Sequence, residues 1–110
     1  MLPKKNRLQK KKDIDRIFRN GETKRNGFFV TKIKNNNSED WRFCFIVSQK
    51  VSKKASVRNK IRRRLSGFVG EKLKGITPAK TGKDVLVIVR SGAEKESPQE
   101  MEKALLNIFR

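Results

Sequence analysis

The apolar residues recur with two periods, and each change of period marks a new element. Ile14, Ile17 and Phe18 stand at i, i+3 and i+4, which places them on one side of a short helix beginning near Asp13. Asp13 and Asp15 lie near the positive end of that helix, Arg19 lies near its negative end, and Asn20-Gly21 supplies a stop. Residues 28–34 are rich in β-formers, the Asn35-Asn36-Asn37-Ser38 cluster marks a turn, and residues 41–48 resume as a second strand. Together they read as a hairpin. In the second strand Trp41, Phe43, Phe45 and Val47 share one face, while Arg42, Cys44, Ile46 and Ser48 share the other. Residues 22–26 leave room for a third, short strand.

Helical spacing returns with Val57, Ile61, Leu65 and Phe68, so Ser56 is expected to cap a helix that runs to about Lys74 and stops at Gly75. Residues 76–83, with Thr77-Pro78 and Thr81-Gly82, read as a loop. The unbroken apolar run over residues 85–89 then predicts a central strand covered on both faces. Ser97-Pro98-Gln99-Glu100 is a capping box with proline at the first helical position, and Met101, Ala104, Leu105, Ile108 and Phe109 follow at helical spacing. These elements make one domain over residues 13–110. Residues 1–12 carry six cations and only Leu2 and Leu8 as apolar anchors, apart from the initial Met1, and are expected to form a flexible basic arm.

Charge narrows the field of partners. Twenty-nine Lys and Arg against eleven Asp and Glu give a formal net charge of +18 in 110 residues, which points to a polyanion. Histidine is absent, so the commonest general base and every His-containing triad or metal site are excluded. The single cysteine, Cys44, cannot close an intrachain disulfide, which suits a reducing compartment and makes the cytoplasm the expected location. No apolar run approaches the roughly 18 residues that span a bilayer. The acids offer no two-metal site: Asp13 and Asp15, at i and i+2, diverge on a helix, and Glu94, Glu96, Glu100 and Glu102 belong to the last helix and its approach. Cys44, mid-strand between aromatics, reads as a small buried hydrophobe.

The densest charge run contains the most informative residues. No acid occurs between Arg42 and Gly70, while Lys50, Lys53, Lys54, Arg58, Lys60, Arg62, Arg63 and Arg64 fall close together. A solvated basic face is the bland reading. Arginine outnumbers lysine within residues 58–64, however, and its planar fork suits bidentate phosphate binding. The Lys50 to Lys54 loop adds cations at the helix N-terminus, where anions bind most readily. The aromatic stripe Trp41, Phe43, Phe45 fits core packing better than base stacking, whereas Phe18 and Phe29 could each either line a groove or fill a core.

The segment from Lys50 to Leu65, with Val51-Ser52-Lys53-Lys54 leading into Val57-Arg58-Asn59-Lys60-Ile61-Arg62-Arg63, resembles the signature of the protein component of bacterial ribonuclease P. The resemblance extends through Asn6-Arg7-Leu8, residues 13–18 with Gly21, residues 84–90 and the final helix. Lys60 stands where arginine is usual in that family, Gln49 where lysine is common, Ser52 where glycine is common, and Thr31 where several relatives carry an aromatic.

The resemblance implies an α+β fold, a single-domain α-β-β-β-α-β-α sandwich with a mixed four-stranded sheet packed with helices. It implies an accessory subunit of an endoribonuclease that removes the 5′ leader of precursor tRNA, with the ribonuclease P catalytic RNA and precursor tRNA as partners. It assigns no catalytic residue and no metal ligand to the polypeptide, and it expects Mg2+ at the RNA. Neither a membrane nor a small-molecule substrate is implied. By position it assigns contact with the catalytic RNA to Lys53, Lys54, Arg58, Asn59, Lys60, Arg62 and Arg63, and a leader-binding cleft to Phe18, Phe29 and Thr31. A ribosomal or ribosome-associated RNA-binding protein without a role in cleavage shares the size and charge.

Overall fold

The computed structural model describes residues 2–26, 28–36, 38–74 and 82–106. In chain order the elements are helix α1 (Lys11–Asn20), strands β1 (Glu22–Asn26), β2 (Phe29–Asn35) and β3 (Arg42–Val47), helix α2 (Ala55–Lys74), strand β4 (Lys83–Val89) and helix α3 (Pro98–Leu106), with short 3₁₀ turns at Lys4–Asn6 and Ala93–Lys95. This is the α+β order with a mixed four-stranded sheet that the resemblance implies. Gly75, most of the expected 76–83 loop, Ile108 and Phe109 lie outside the described residues.

The sheet order is β1-β2-β4-β3. β2 and β3 therefore do not form the expected hairpin. β4 enters between them, antiparallel to β2 and parallel to β3. The physical reason is the composition of β4: Val85, Leu86, Val87 and Val89 are all buried, so this strand needs cover on both faces and takes a central position. The Asn-rich turn accordingly wraps the start of β4. Asn36 Nδ2 donates to the Asp40 carbonyl at 2.8 Å and to Asp84 Oδ1 at 2.9 Å. The true hairpin joins β1 to β2, in register from Glu22 opposite Ile33 to Asn26 opposite Phe29.

Period-two alternation divides the sheet into two faces. On one, Phe29, Ile33, Phe43, Val47, Val85, Val87 and Val89 pack with Ile61, Leu65 and Val69 of α2 and with Met101 and Leu105 of α3. On the other, Leu86 packs with Ile17 and Leu8, flanked by Ile14 and Cys44. The aromatic row Trp41, Phe43, Phe45 belongs to the first face, where successive rings stack with centroids 6.1 Å apart.

The termini of the elements differ in detail from expectation. α1 starts at Lys11 and ends where Gly21 N donates to the Ile17 carbonyl at 2.8 Å. A Cβ on Gly21 would fall 2.6 Å from that same oxygen, so only glycine fits. α2 begins at Ala55, one residue before the expected cap. The Lys54 carbonyl accepts from Val57 N and Arg58 N, Ser52 Oγ accepts from Lys54 N in the preceding turn, and Ser56 is an exposed helical residue. α3 is capped as expected, with Ser97 Oγ accepting from Glu100 N at 3.2 Å. Residues 2–10, which belong to the expected flexible basic arm over residues 1–12, lie against the domain. Leu2 and Leu8 are buried, Leu8 N donates to the Phe43 carbonyl, and Asn6 Nδ2 donates to the Trp41 carbonyl, so this segment covers the outer edge of β3.

Candidate nucleic-acid interface

The α2 stripe of Ile61, Leu65 and Val69 faces the core, so the cations between these positions are directed to its flanks and outer face. Lys53, Lys54, Asn59, Lys60 and Arg63 are exposed. Arg58 and Arg62 are half-buried and turned toward the protein. Arg58 Nη1 donates to the Ser52 carbonyl at 2.9 Å, and Arg62 donates to Asn59 Oδ1 and to the Val47 carbonyl. These two arginines brace the loop between β3 and α2, while the other five residues present charge and hydrogen-bonding capacity outward. Among the described residues no cation from Lys50 to Arg64 forms a salt bridge, because the segment contains no acid and no acid packs on it. Its positive potential is uncompensated.

The second predicted site is not assembled as the sequence suggested. Phe18 lies on α1 and is 46% exposed, the one exposed large apolar side chain among the described residues. Phe29 and Thr31 are 1% and 3% exposed and project from β2 to the opposite face of the sheet, toward α2 and α3. Thr31 is paired with Val87 and donates from Oγ1 to the Lys24 carbonyl. The side chains that β2 turns toward α1 are Val30, Lys32 and Lys34. Lys32 Nζ sits 5.8 Å from the Phe18 ring centroid, a cation–π distance, and also donates to Thr23 Oγ1 at 2.9 Å.

The register extends this surface across the sheet. Val30 is paired with Ile88, and Ile88 with Ile46, so the three form an apolar row on the α1 side. All three are half-buried and belong to neither packed cluster. Past Ile88 the row opens into a cleft of about 400 Å³ lined by Phe28, Ser48, Lys50, Arg90 and Ser91. The result is a shallow trough with an apolar floor, Phe18 and Lys32 at one end and Lys50 and Arg90 at the other. Sequence reasoning missed Val30, Lys32, Ile46 and Ile88. The signal was present, since the alternation that sorted the faces of β3 would have sorted those of β2.

Nothing in the site resembles a hydrolytic centre. Among the described residues no three acids or thiols converge as metal ligands. Asp13 on α1 and Asp84 on the sheet are both held by Arg42. The Asp84 carboxylate raises the Arg42 pKa further above its already high ordinary value. Burial beneath α1 pushes the Cys44 thiol up despite the nearby Arg62, so it is no ready nucleophile. These residues do not form a site for Mg2+.

Residues 2–110 match the family described as Ribonuclease P. A Pseudanabaena protein described as a ribonuclease P protein component is 33% identical over 110 residues, covering 99% of this chain and 92% of the relative. Its Lactococcus lactis counterpart is 32% identical over 109 residues, covering 99% and 89%. Among solved structures, the Staphylococcus aureus RNase P protein superimposes with a TM-score of 0.81 at 28% identity, covering 94% of this chain and 92% of that one. The Thermotoga maritima RNase P protein gives 0.79 at 28% identity, covering 93% of each. A match along nearly the whole sequence and the same fold lead to one assignment: the chain belongs to the ribonuclease P protein family.

Proposed function

We propose that this chain binds the catalytic RNA of ribonuclease P through α2 and its preceding loop, and the 5′ leader of precursor tRNA in the trough between α1 and the sheet. The observation that carries the reading is the juxtaposition of an acid-free cationic helix with an uncovered apolar row, joined by the turn at residues 48–54. Lys53, Lys54, Asn59, Lys60 and Arg63 contact phosphates, whereas Arg58 and Arg62 hold the loop that presents them. Single-stranded leader bases stack on Phe18 and pass over Val30, Ile88 and Ile46, with Lys32, Lys50 and Arg90 meeting the backbone. Phe29 and Thr31 support this trough from the far side of the sheet and do not touch the leader.

In this account the polypeptide supplies binding and orientation, and endonucleolytic 5′ maturation takes place at the RNA, where Mg2+ is expected. Cleavage of precursor tRNA by a bacterial ribonuclease P RNA, measured at low magnesium with and without this protein, tests the reading. Stimulation is expected. A protein that binds both RNAs but leaves cleavage unchanged would instead be an RNA-binding protein outside tRNA processing.

A further inference from the structure

Arg42 occupies an unusual place on the α1 face of the sheet. From β3 it makes a two-pronged contact with Asp84 of β4, Nε to Oδ1 at 2.7 Å and Nη2 to Oδ2 at 2.6 Å. Asp84 is buried and also accepts from Asn36. The remaining nitrogen of the fork, Nη1, lies 3.6 Å from Asp13 Oδ2 in the first turn of α1. A small crevice between α1 and the sheet, lined by these residues with Arg16, Ile17 and Lys34, surrounds the contact.

The rest of the α1 attachment is of a different kind. Ile14 and Ile17 rest on Leu86, Leu8 and Cys44, and such apolar contact is non-directional. It permits the helix to roll or slide. At the C-terminal end Gly21 N donates to the Ile17 carbonyl, and the helix ends so close to β2 that a Cβ on Gly21 would stand 3.3 Å from the Ile33 backbone nitrogen. At the N-terminal end the directional link is Asp13 to Arg42, with Arg42 oriented by Asp84 and Asp84 by Asn36. Phe18 lies between the two fixed ends.

We infer that Arg42, clamped by Asp84, is a positioning residue that ties the first turn of α1 to the sheet and so sets the height of Phe18 over the trough. This rests on the leader-binding reading above. It predicts that weakening the clamp lowers the preference for leader-bearing RNA without altering attachment to the catalytic RNA.

The test uses the holoenzyme reconstituted with a bacterial ribonuclease P RNA and reads the ratio of affinities for precursor and mature tRNA. Hydrogen exchange along α1 is followed in parallel. Asp13→Asn removes the link between Arg42 and α1, together with the Asp13–Arg16 pair inside the helix, and Arg42→Lys keeps a charge against Asp84 but loses the fork. Asp15→Asn, in the same helix and exposed, controls for the loss of a negative charge near the helix N-terminus. Phe18→Ala reports on the trough itself. A partly exposed ion pair supports a two- to five-fold fall in the ratio for Asp13→Asn, with faster exchange over residues 11–20, unchanged affinity for the catalytic RNA, and no such change for Asp15→Asn. Arg42→Lys should fall further. If Phe18→Ala abolishes the preference while Asp13→Asn and Arg42→Lys both retain it, the clamp has no positioning role. If Phe18→Ala itself leaves the preference intact, the trough reading fails and the clamp proposal falls with it. Equal weakening of both tRNAs, with only a lower melting temperature, would make Arg42 a residue of stability alone.

Discussion

The two faces of the sheet use the same strands for different ends. Toward α2 and α3, Phe29, Ile33, Phe43, Val47, Val85, Val87 and Val89 are buried with Ile61, Leu65, Val69, Met101 and Leu105. Toward α1, Leu86 is covered by Ile17 and Leu8 and Asp84 is buried under Arg42, but Val30, Ile46 and Ile88 stay half-open beside an exposed phenylalanine. A single helix about 10–12 Å across covers only part of the length of the strands, so α1 reaches Leu86 and leaves the Ile88 row uncovered. One face is therefore a core and the other a surface for a ligand, and substitutions on each should be felt in different measurements.

The largest expected effect is on the closed face. Leu65→Ala removes a side chain with no solvent exposure and should cost about 2–5 kcal/mol of unfolding free energy. Ile88→Ala, only two residues along β4 from Leu86 but on the open row, should cost markedly less in denaturant unfolding while weakening the hold on leader-bearing precursor. Equal stability losses at the two positions would erase the distinction between the faces.

Next in size is Phe18→Leu. Stacking on an aromatic contributes roughly 1–3 kcal/mol per base, and Phe18 lies outside the packed clusters. Holoenzyme affinity for precursor tRNA should fall up to about a hundred-fold by that measure, with mature tRNA unaffected and the melting temperature nearly unchanged. Phe29→Leu should do the reverse, lowering the melting temperature with little effect on the preference for a leader.

A smaller effect separates the outward cations of α2 from the bracing ones. Lys60→Ala with Arg63→Ala should leave stability within about 0.5 kcal/mol and reduce the salt dependence of RNA binding by about one unit of slope per lost phosphate contact. Arg62→Ala should destabilise the loop after β3 as well, since it frees the Val47 carbonyl and the Asn59 side chain. If Arg62→Ala lowers only the salt slope, the division drawn between the two groups is wrong.

Much of this was legible in the residues. The patterns located all three helices and the strands, and Ser97 caps the last helix as expected, its Oγ accepting from Glu100 N. The hairpin failed because adjacency in sequence favoured pairing β2 with β3. Nothing local to either strand announced that the apolar 85–89 run would separate them. The resemblance assigns Phe29 and Thr31 to the leader cleft by position, whereas the alternation along β2 turns Val30, Lys32 and Lys34 toward α1 and leaves Phe29 and Thr31 on the other face. The burial of Leu2 and Leu8 was hidden by the lysines around them. Arg42 and Asp84 could not be matched at all, being 42 residues apart and joined only by strand register.

The most direct test of the two-faced sheet is site-specific cross-linking in the holoenzyme, from photoreactive nucleotides placed along the precursor leader to the protein. The account predicts adducts at Phe18, Lys32 and the Ile46 to Ile88 row, with none at Met101, Glu102 or the outer side of α3. Leader cross-links concentrated on α3, or on the cations of α2 with the α1 trough unlabelled, would contradict it.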